Sequence, residues 1–146
     1  MSQDEILKLS NQMCFPLYAC GKEIARKYKP ILDKYDLTYT QYIVLLVLWE
    51  NDHLSVKEIG EKLYLDSGTL TPLLNKLENK GYINKEKNSK DERGLIVSVT
   101  EEGYNLKKRI IEVPTQIAKC VDLTPEESFT LYKLLYKVLR GLDNEQ

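Results

Sequence analysis

Three cysteines, Cys14, Cys20 and Cys120, are the residues of this chain with the most reactive side chains. An odd number cannot pair completely within one chain, and the acidic start of the sequence has no signal-peptide pattern. We therefore expect a cytoplasmic protein with reduced thiols. A thiol becomes a nucleophile when its thiolate form is stabilised, for instance at a helix N-terminus. Each cysteine is thus a candidate for redox or nucleophilic chemistry, with an inert core position as the alternative.

Pro16, two residues after Cys14, bears on the reactivity of this cysteine. The apolar residues around it recur at helical spacing, and proline suits the first turn of a helix but not its interior. The helix therefore either restarts near Phe15 or bends there. A restart would place Cys14 beside a helix N-terminus, which favours the thiolate. From the residues alone, a buried position between Met13 and Phe15 is the simpler interpretation.

Other catalytic or ligand-binding patterns are weak. Cys20 follows Cys14 by six residues, which on a helix is roughly 9 Å of rise and about 240° of rotation, so we expect no direct bond and interpret Cys20 as a core residue. A cysteine-dependent peroxidase is an alternative, but the single histidine, His53, has no Cys-His signature around it. Because no phosphate loop, carboxylate pair or metal-ligand spacing stands out, we predict no metal, no cofactor and no enzyme activity.

The overall charge gives no support to nucleic-acid binding through bulk basicity. The chain has 146 residues, a formal net charge of −1 and 42% hydrophobic residues, with a pI near 5.9. This length suits one domain, and the uncharged run at residues 39–49 is too short to cross a membrane. If the protein binds DNA, its positive charge must be arranged locally.

Hydrophobic periodicity and capping signals predict four helices, a β-hairpin and two further helices. Ser55 with Glu58 and Thr124 with Glu127 have the spacing of capping boxes, and Gly81 is expected to end a helix that Asp66 or Thr71 begins. The predicted helices cover about 6–35, 40–50, 56–63, 67–80, 101–118 (bent at Pro114) and 125 onward, with strands at 82–85 and 95–99.

This order predicts a mainly α fold with a small β-hairpin wing, that is, a winged helix-turn-helix. We assign residues 37–103 to a DNA-binding winged unit and residues 1–36 and 104–146 to dimerisation helices within one domain of 146 residues. The terminal helices carry more apolar residues than one small winged unit can cover, which favours a homodimer.

The second helix of a helix-turn-helix enters the major groove of DNA, so its polar face is the candidate reading surface. Residues 76–93 carry a local charge of +2, whereas residues 38–75 carry −3. Positive charge is therefore concentrated where the wing would meet phosphates. A solvated hairpin and simple helix capping are the alternative, as is a winged helix that binds only proteins. The candidate DNA-binding residues are Ser67, Thr69, Thr71, Asn75, Lys76, Lys85, Lys87 and Lys90.

Two sets of residues resemble a known family. The run from Leu63 to Leu74, together with Lys90-Asp91-Glu92-Arg93, is similar to the MarR family of winged-helix regulators. A second set resembles the organic hydroperoxide-sensing branch of that family, namely Met13-Cys14-Phe15, Tyr28, Pro30, Leu37-Thr38-Tyr39 and Tyr42. The resemblance implies a homodimeric repressor on a pseudo-palindromic operator, with Arg93 in the minor groove and Asp91 holding it.

The same resemblance implies a redox mechanism at Cys14. Tyr28 and Tyr39 would donate hydrogen bonds to the Cys14 thiolate across the dimer interface, and organic hydroperoxide would oxidise it to a sulfenic acid and release the operator. Cys120 of the opposite subunit would then form a disulfide with Cys14, while Cys20 or a small cellular thiol stays an alternative. Release by a phenolic ligand bound between the winged unit and the dimer helices is a second alternative within the family.

Overall fold

The N-terminal helical stretch is divided into three pieces. The computed structural model describes residues 1–88 and 91–144, with only the backbone at 91–93 and at 144. Helix α1 (Gln3–Ile6) and a 3-10 helix (Leu9–Asn11) precede helix α2 (Cys14–Asp33). The predicted helical stretch over 6–35, which allowed a restart or a bend near Phe15, is therefore wrong only before Cys14. The side-chain amides of Asn11 and Gln12 donate hydrogen bonds to the last two carbonyl oxygens of α1 and so cap its C-terminal end.

The restart of the helix at the proline is confirmed. Pro16 is the third residue of α2, in the first turn, where its missing N–H group leaves no helical bond unmade. Pro30 lies further inside the same helix, and α2 continues past it to Asp33. Cys14 is consequently the first residue of a 20-residue helix.

Three helices follow, and their capping residues explain their boundaries. Helix α3 (Tyr39–Glu50) and helix α4 (Val56–Leu63) both begin with complete capping boxes. Helix α5 (Ser67–Asn79) begins at Asp66, whose carboxylate accepts from the Thr69 N–H group at 2.7 Å. Asp66, and not Thr71, is therefore the cap, and Pro72 lies inside the helix.

The wing belongs to a three-stranded antiparallel sheet, one strand more than the predicted hairpin. Strand β1 (Leu54–Ser55) pairs with strand β3 (Asp91–Val99), which in turn pairs with strand β2 (Ile83–Asn88). Both wing strands are longer than predicted and converge on the tip. The two-residue β1 was not predicted, because Ser55, one of its two residues, was interpreted only as the cap of α4.

The C-terminal helices also differ from the prediction at one point. Helix α6 (Glu101–Arg109) and helix α7 (Val113–Ala118) are separate, with the break at residues 110–112, just before Pro114. Proline fits the first turn of α7 better than the interior of one long helix, which accounts for the break. Helix α8 (Pro125–Asn144) begins at the predicted capping box, with a 3.1 Å bond from the Glu127 N–H group to the Thr124 hydroxyl.

One hydrophobic core organises the fold. It is centred on α3, α4 and α5, and it extends into α2 and α6 through Leu32 and Leu106, both with no exposed surface. The core therefore crosses both proposed boundaries of the winged unit. Within the described part of the chain, no helix is long and apolar enough to span a membrane. The mainly helical fold with a small β wing is confirmed.

Candidate functional site

Cys14 lies exposed at the first position of α2. The residue before it, Met13, makes no side-chain cap, so the N–H groups of the first turn keep their positive end free for an anion. Cys20 and Cys120 are also exposed and unpaired. The interpretation of Cys20 as a core residue is therefore wrong for the single chain, because none of the residues that the structure describes covers this position of α2.

Three tyrosines form a cluster where α2 meets α3. The Tyr28 ring centroid lies 4.6 Å from that of Tyr39 and 6.0 Å from that of Tyr42. Burial, with the two neighbouring phenols, raises the pKa of Tyr28 to about 12, and burial also raises the pKa of Tyr39 and of Tyr42. All three hydroxyls thus remain protonated at neutral pH and can donate a hydrogen bond. We refer to these residues as the tyrosine cluster.

The tyrosine cluster and Cys14 cannot meet within one chain. Cys14 and Tyr28 lie on the same continuous helix, 14 residues apart, which is about 21 Å along the axis. A phenol reaches only a fraction of that distance. The structure therefore brings the two predicted tyrosines together, but it does not bring them to the Cys14 of the same chain.

Cys120 lies in the segment that joins α7 to α8. Its sulfur is 3.8 Å from the Gln116 carbonyl oxygen, a weak contact that leaves the side chain exposed. Because a segment between two helices has few packing partners, this cysteine is accessible to another thiol.

The predicted DNA-reading residues of α5 lie on one exposed surface. Ser67, Thr69, Thr71, Asn75 and Lys76 are all exposed, and we call them the reading face. The Thr71 hydroxyl donates to the Ser67 carbonyl oxygen at 2.8 Å, so it faces DNA mainly as an acceptor. The buried side of the same helix is made of leucines, including Leu70 and Leu74.

The wing lysines differ from one another. Lys87 is exposed, whereas the Lys85 side chain is only 17% exposed and its ammonium contacts the Asn75 amide oxygen and the Glu78 carboxylate, the latter at 3.5 Å. Lys85 therefore joins the wing to α5 rather than standing free. The predicted tip residue Lys90 lies outside the described residues, as do the side chains of Asp91 and Arg93.

Sequence reasoning predicted a break at residues 64–65 between α4 and α5, but it did not identify the contacts that hold this tight turn. Tyr64 ends α4 in the left-handed conformation, with φ of 57°, and the Leu65 N–H group donates to the Gly60 carbonyl oxygen at 3.0 Å. A Cβ atom at Gly60 would lie 2.6 Å from the Leu65 carbonyl oxygen. Only glycine permits this approach. The glycine in the second half of α4 was the signal in the sequence from which the close turn could have been predicted.

The base of the wing is held by a carboxylate that sequence reasoning also overlooked. Asp52 accepts hydrogen bonds from the Val99 N–H group at 2.9 Å and from the Tyr104 hydroxyl at 2.7 Å. These bonds outweigh partial burial and lower the pKa of Asp52. The adjacent His53 is exposed in its loop, as expected.

An open groove of about 1070 Å³ lies between α4, α5 and the wing. Its described lining contains four carboxylates and a single lysine, Lys57. Such a lining repels an anionic ligand. The carboxylates are those of Glu58, Glu61, Asp66 and Asp143.

Comparison with known proteins agrees with this geometry. Residues 26–110 match the family described as transcriptional regulator SarA/Rot. The chain is 45% identical over 136 residues to the organic hydroperoxide resistance transcriptional regulator of Bacillus subtilis (strain 168), covering 93% of this chain and 92% of that protein.

Solved structures of AbfR, a protein of Staphylococcus epidermidis, are also similar. The reduced form bound to DNA is 34% identical, with a TM-score of 0.79 over 96% of this chain and 97% of that one. The disulfide form is 33% identical, with a TM-score of 0.69 over 96% of each chain. The overoxidised form bound to DNA also has a TM-score of 0.79, so the structure described here is more similar to the DNA-bound forms than to the disulfide form. The chain belongs to the MarR family of winged helix-turn-helix transcriptional regulators, and within it to the group that includes SarA and Rot.

Proposed function

We propose that this protein is a homodimeric repressor that leaves its operator when an organic hydroperoxide oxidises Cys14. The observation that carries the proposal is the placement of an exposed thiol at the start of α2, together with protonated tyrosines at its far end. Each half of a thiolate site is present in the chain, and a second copy is needed to unite them. The names of the Bacillus relative and of the AbfR complexes support this function.

The exposed apolar surface of the terminal helices supports the homodimer. Large hydrophobic side chains are exposed along both α2 and α8, although soluble monomers rarely leave such continuous patches uncovered. A twofold dimer would bury both patches and bring the start of one α2 toward the tyrosine cluster of the other chain. The exposed residues are Phe15, Leu17, Tyr18 and Ile24 on α2, and Phe129, Leu131, Tyr132, Leu134, Tyr136, Val138 and Leu142 on α8.

The chemistry at Cys14 requires only the thiolate and the peroxide. The sulfur attacks the terminal oxygen of the hydroperoxide, and the O–O bond breaks. The rest of the peroxide leaves as an alkoxide, which takes a proton to become the alcohol. Cys14 becomes a sulfenic acid, oxidised by two electrons, as the peroxide is reduced. The helix N-terminus and the partner's Tyr28 and Tyr39 stabilise the thiolate before the attack.

The sulfenic acid is then resolved by a second thiol. The Cys120 thiolate of the other subunit attacks the Cys14 sulfur, a disulfide forms and the hydroxyl leaves as water. Cys120 suits this role because it is exposed and lies in the segment between α7 and α8, where a shift of the backbone is possible. An AbfR structure described as disulfide-formed gives a precedent among relatives.

Binding to DNA depends on two reading faces, one from each subunit. Each α5 would enter a major groove, and the wing, with Lys87, Lys90, Asp91 and Arg93, would contact the backbone and minor groove. Lys85 would act indirectly, since its ammonium already bridges α5 and the wing. Loss of the Cys14 thiolate releases the tyrosines, the dimer helices shift and the two reading faces no longer match their half-sites.

Gel-shift measurements on operator DNA test the proposal. The reduced wild-type protein should bind, and cumene hydroperoxide should release it. Cys14→Ser should bind and stay bound after the same treatment, while the matched variant Cys20→Ser should respond like the wild type. Release of Cys14→Ser by the hydroperoxide would overturn the proposal.

The resolving thiol is tested by mass spectrometry of the oxidised protein. We expect a peptide pair joined through Cys14 and Cys120 and a covalent dimer on a non-reducing gel, both absent in Cys120→Ser. A link between Cys14 and Cys20, or a single added small thiol, would identify a different route.

The same samples distinguish a regulator from a thiol peroxidase. A regulator oxidised once per subunit should consume about one equivalent of hydroperoxide and then stop. Continued consumption in the presence of dithiothreitol, at an enzyme-like rate, would instead support the catalytic alternative.

A further inference from the structure

Lys80 lies at the end of α5, at the opposite end from the first turn of the reading face. Its ammonium contacts three acceptors, two on Asp36 in the loop that joins α2 to α3 and one on Gln41 in the first turn of α3. They are the Asp36 carbonyl oxygen, the Asp36 carboxylate at 3.5 Å and the Gln41 amide oxygen at 3.3 Å. The carbonyl and amide contacts are hydrogen bonds, and the carboxylate contact is an ion pair. The side chain is 27% exposed, which is low for a surface lysine.

Gln41 connects this contact to the start of α3. It is buried, with 2% of its surface exposed, and its amide oxygen accepts both from Lys80 and from the Thr38 N–H group at 3.1 Å. In return, the Thr38 hydroxyl accepts from the Gln41 N–H group at 3.2 Å and completes the cap of α3. The lysine therefore bonds directly to the capping box of α3.

The first residue of α3, between the two members of that capping box, is Tyr39. Its position in the tyrosine cluster follows from where α3 begins, and that point is fixed by Thr38 and Gln41. Asp36 adds a second constraint, because it has φ of 54°, a left-handed conformation that aspartate tolerates better than most non-glycine residues but that still carries strain. The bond from Lys80 to the Asp36 carbonyl oxygen helps to hold this conformation.

We propose that Lys80 is a positioning residue that couples the tyrosine cluster to the DNA-reading helix. A displacement of Tyr39 on oxidation moves the capping box, and Lys80 transmits that movement to α5 because its ammonium is bonded to both Asp36 and Gln41. The inference rests on the proposed redox function and adds the route by which the state of the thiol reaches the DNA. The route is a continuous chain of hydrogen bonds between two elements of one subunit.

The experiment measures how strongly oxidation weakens operator binding. Dissociation constants for operator DNA are determined by fluorescence anisotropy before and after treatment with cumene hydroperoxide, and the ratio of oxidised to reduced values is compared among variants. We expect a wild-type ratio of about tenfold or more, the range typical of coupled sites. Lys80→Met keeps the aliphatic stem but removes the ammonium, and its ratio should fall to within about twofold of one.

Two variants control for charge and for packing. Lys34→Met removes the same charge two residues from Asp36. The exposed side chain of Lys34 makes no hydrogen bond to the residues that the structure describes, so the ratio should remain that of the wild type. Lys80→Arg retains a cationic donor and should keep most of the ratio. Dimedone labels the sulfenic acid of Cys14, and this labelling must be equal in all variants. Binding that a variant retains after treatment then cannot be explained by a failure to oxidise Cys14.

The result that overturns the proposal is a Lys80→Met protein whose reduced and oxidised affinities fall together, with an unchanged ratio. That result would make Lys80 a structural residue alone. Equal loss of the ratio in Lys80→Met and Lys34→Met would also overturn it, because charge and not the bond would then be responsible. Failure of the underlying redox function gives a different result, because the ratio of dissociation constants would then be close to one in the wild-type protein itself.

Discussion

The winged unit and the terminal helices use hydrophobic residues in opposite ways. In the winged unit, α3, α4 and α5 enclose their leucines, and Leu45, Leu48, Ile59 and Leu70 have no exposed surface. In α8, by contrast, Phe129 is 65% exposed and Leu142 is 58% exposed. Large apolar side chains thus pack against their own chain in one region and stay exposed in the other. Stability of the first region should not depend on protein concentration, whereas that of the second should.

The sharpest way to test this difference is to charge the exposed stripe of α8. Leu131→Glu places a carboxylate in the proposed dimer interface, so the protein should become monomeric in light scattering. Operator binding should then weaken by about 100-fold or more, because the second half-site no longer adds to the first. Fluorescence anisotropy on operator DNA measures this loss.

The matched control for that variant is Lys137→Ala. It lowers the net charge by the same single unit at an exposed position about 240° around α8 from Leu131, on the polar side. The protein should remain dimeric and bind normally. A monomeric Lys137→Ala, or a dimeric Leu131→Glu that binds at wild-type strength, would remove the distinction between the two regions.

A cavity in the winged unit should destabilise the protein at every concentration. Leu45→Ala removes a completely buried side chain of α3, and such truncations cost about 2–5 kcal/mol of the free energy of unfolding. Urea denaturation at two protein concentrations measures both the loss and its independence of concentration. The neighbouring Leu46, 41% exposed, supplies the control Leu46→Ala, which should lose much less.

A smaller loss is expected where α6 touches the wing. A Cβ atom at Gly103 would lie 2.4 Å from the Tyr82 carbonyl oxygen and 2.6 Å from a Val99 methyl carbon. Gly103→Ala should therefore cost about 1–3 kcal/mol, as overpacking does. At Gly141 of α8 nothing lies within 4 Å, so Gly141→Ala should be neutral or slightly stabilising by urea denaturation.

The smallest effect concerns Asp52 and depends on pH. Since the folded state lowers its pKa, the carboxylate stabilises the fold above the pKa of the unfolded chain and loses that contribution as the pH falls through the folded value. Asp52→Asn should cost about 1 kcal/mol from pH 5 to 8, and the difference from wild type should shrink below about pH 4. Urea midpoints across this range measure it, with Glu50→Gln at the end of α3 as the control. A difference that grows in acid would contradict the assignment.

Sequence reasoning succeeded where a single local signal determines the structure. The capping pairs at Ser55 and Thr124, the proline at position 16 and the glycine at position 81 each act over one helical turn, and each is confirmed. The polar residues of α5 were also placed correctly, because the leucines opposite them define the buried side.

The features that escaped prediction depend on partners distant in the chain. Strand β1 forms because it pairs with the edge of β3. The role of Asp52 can be recognised only when its donors, Val99 and Tyr104, are known to lie beside it. The exposure of Cys20 has a related cause. Helical spacing shows that a residue lies on an apolar stripe, but not whether its own chain covers that stripe.

The separation of Cys14 from Tyr28 on one helix has a genetic consequence. If each thiolate is held by the tyrosines of the other subunit, a Cys14→Ser chain still carries working tyrosines, and a Tyr28→Phe chain still carries a working thiol. Co-expressed, the two defective alleles would form mixed dimers in which one of the two thiol sites is whole and the other has both defects. Mixed dimers would therefore leave the operator on oxidation although neither homodimer does, and the Cys14→Ser homodimers formed beside them would keep repressing in the same cell.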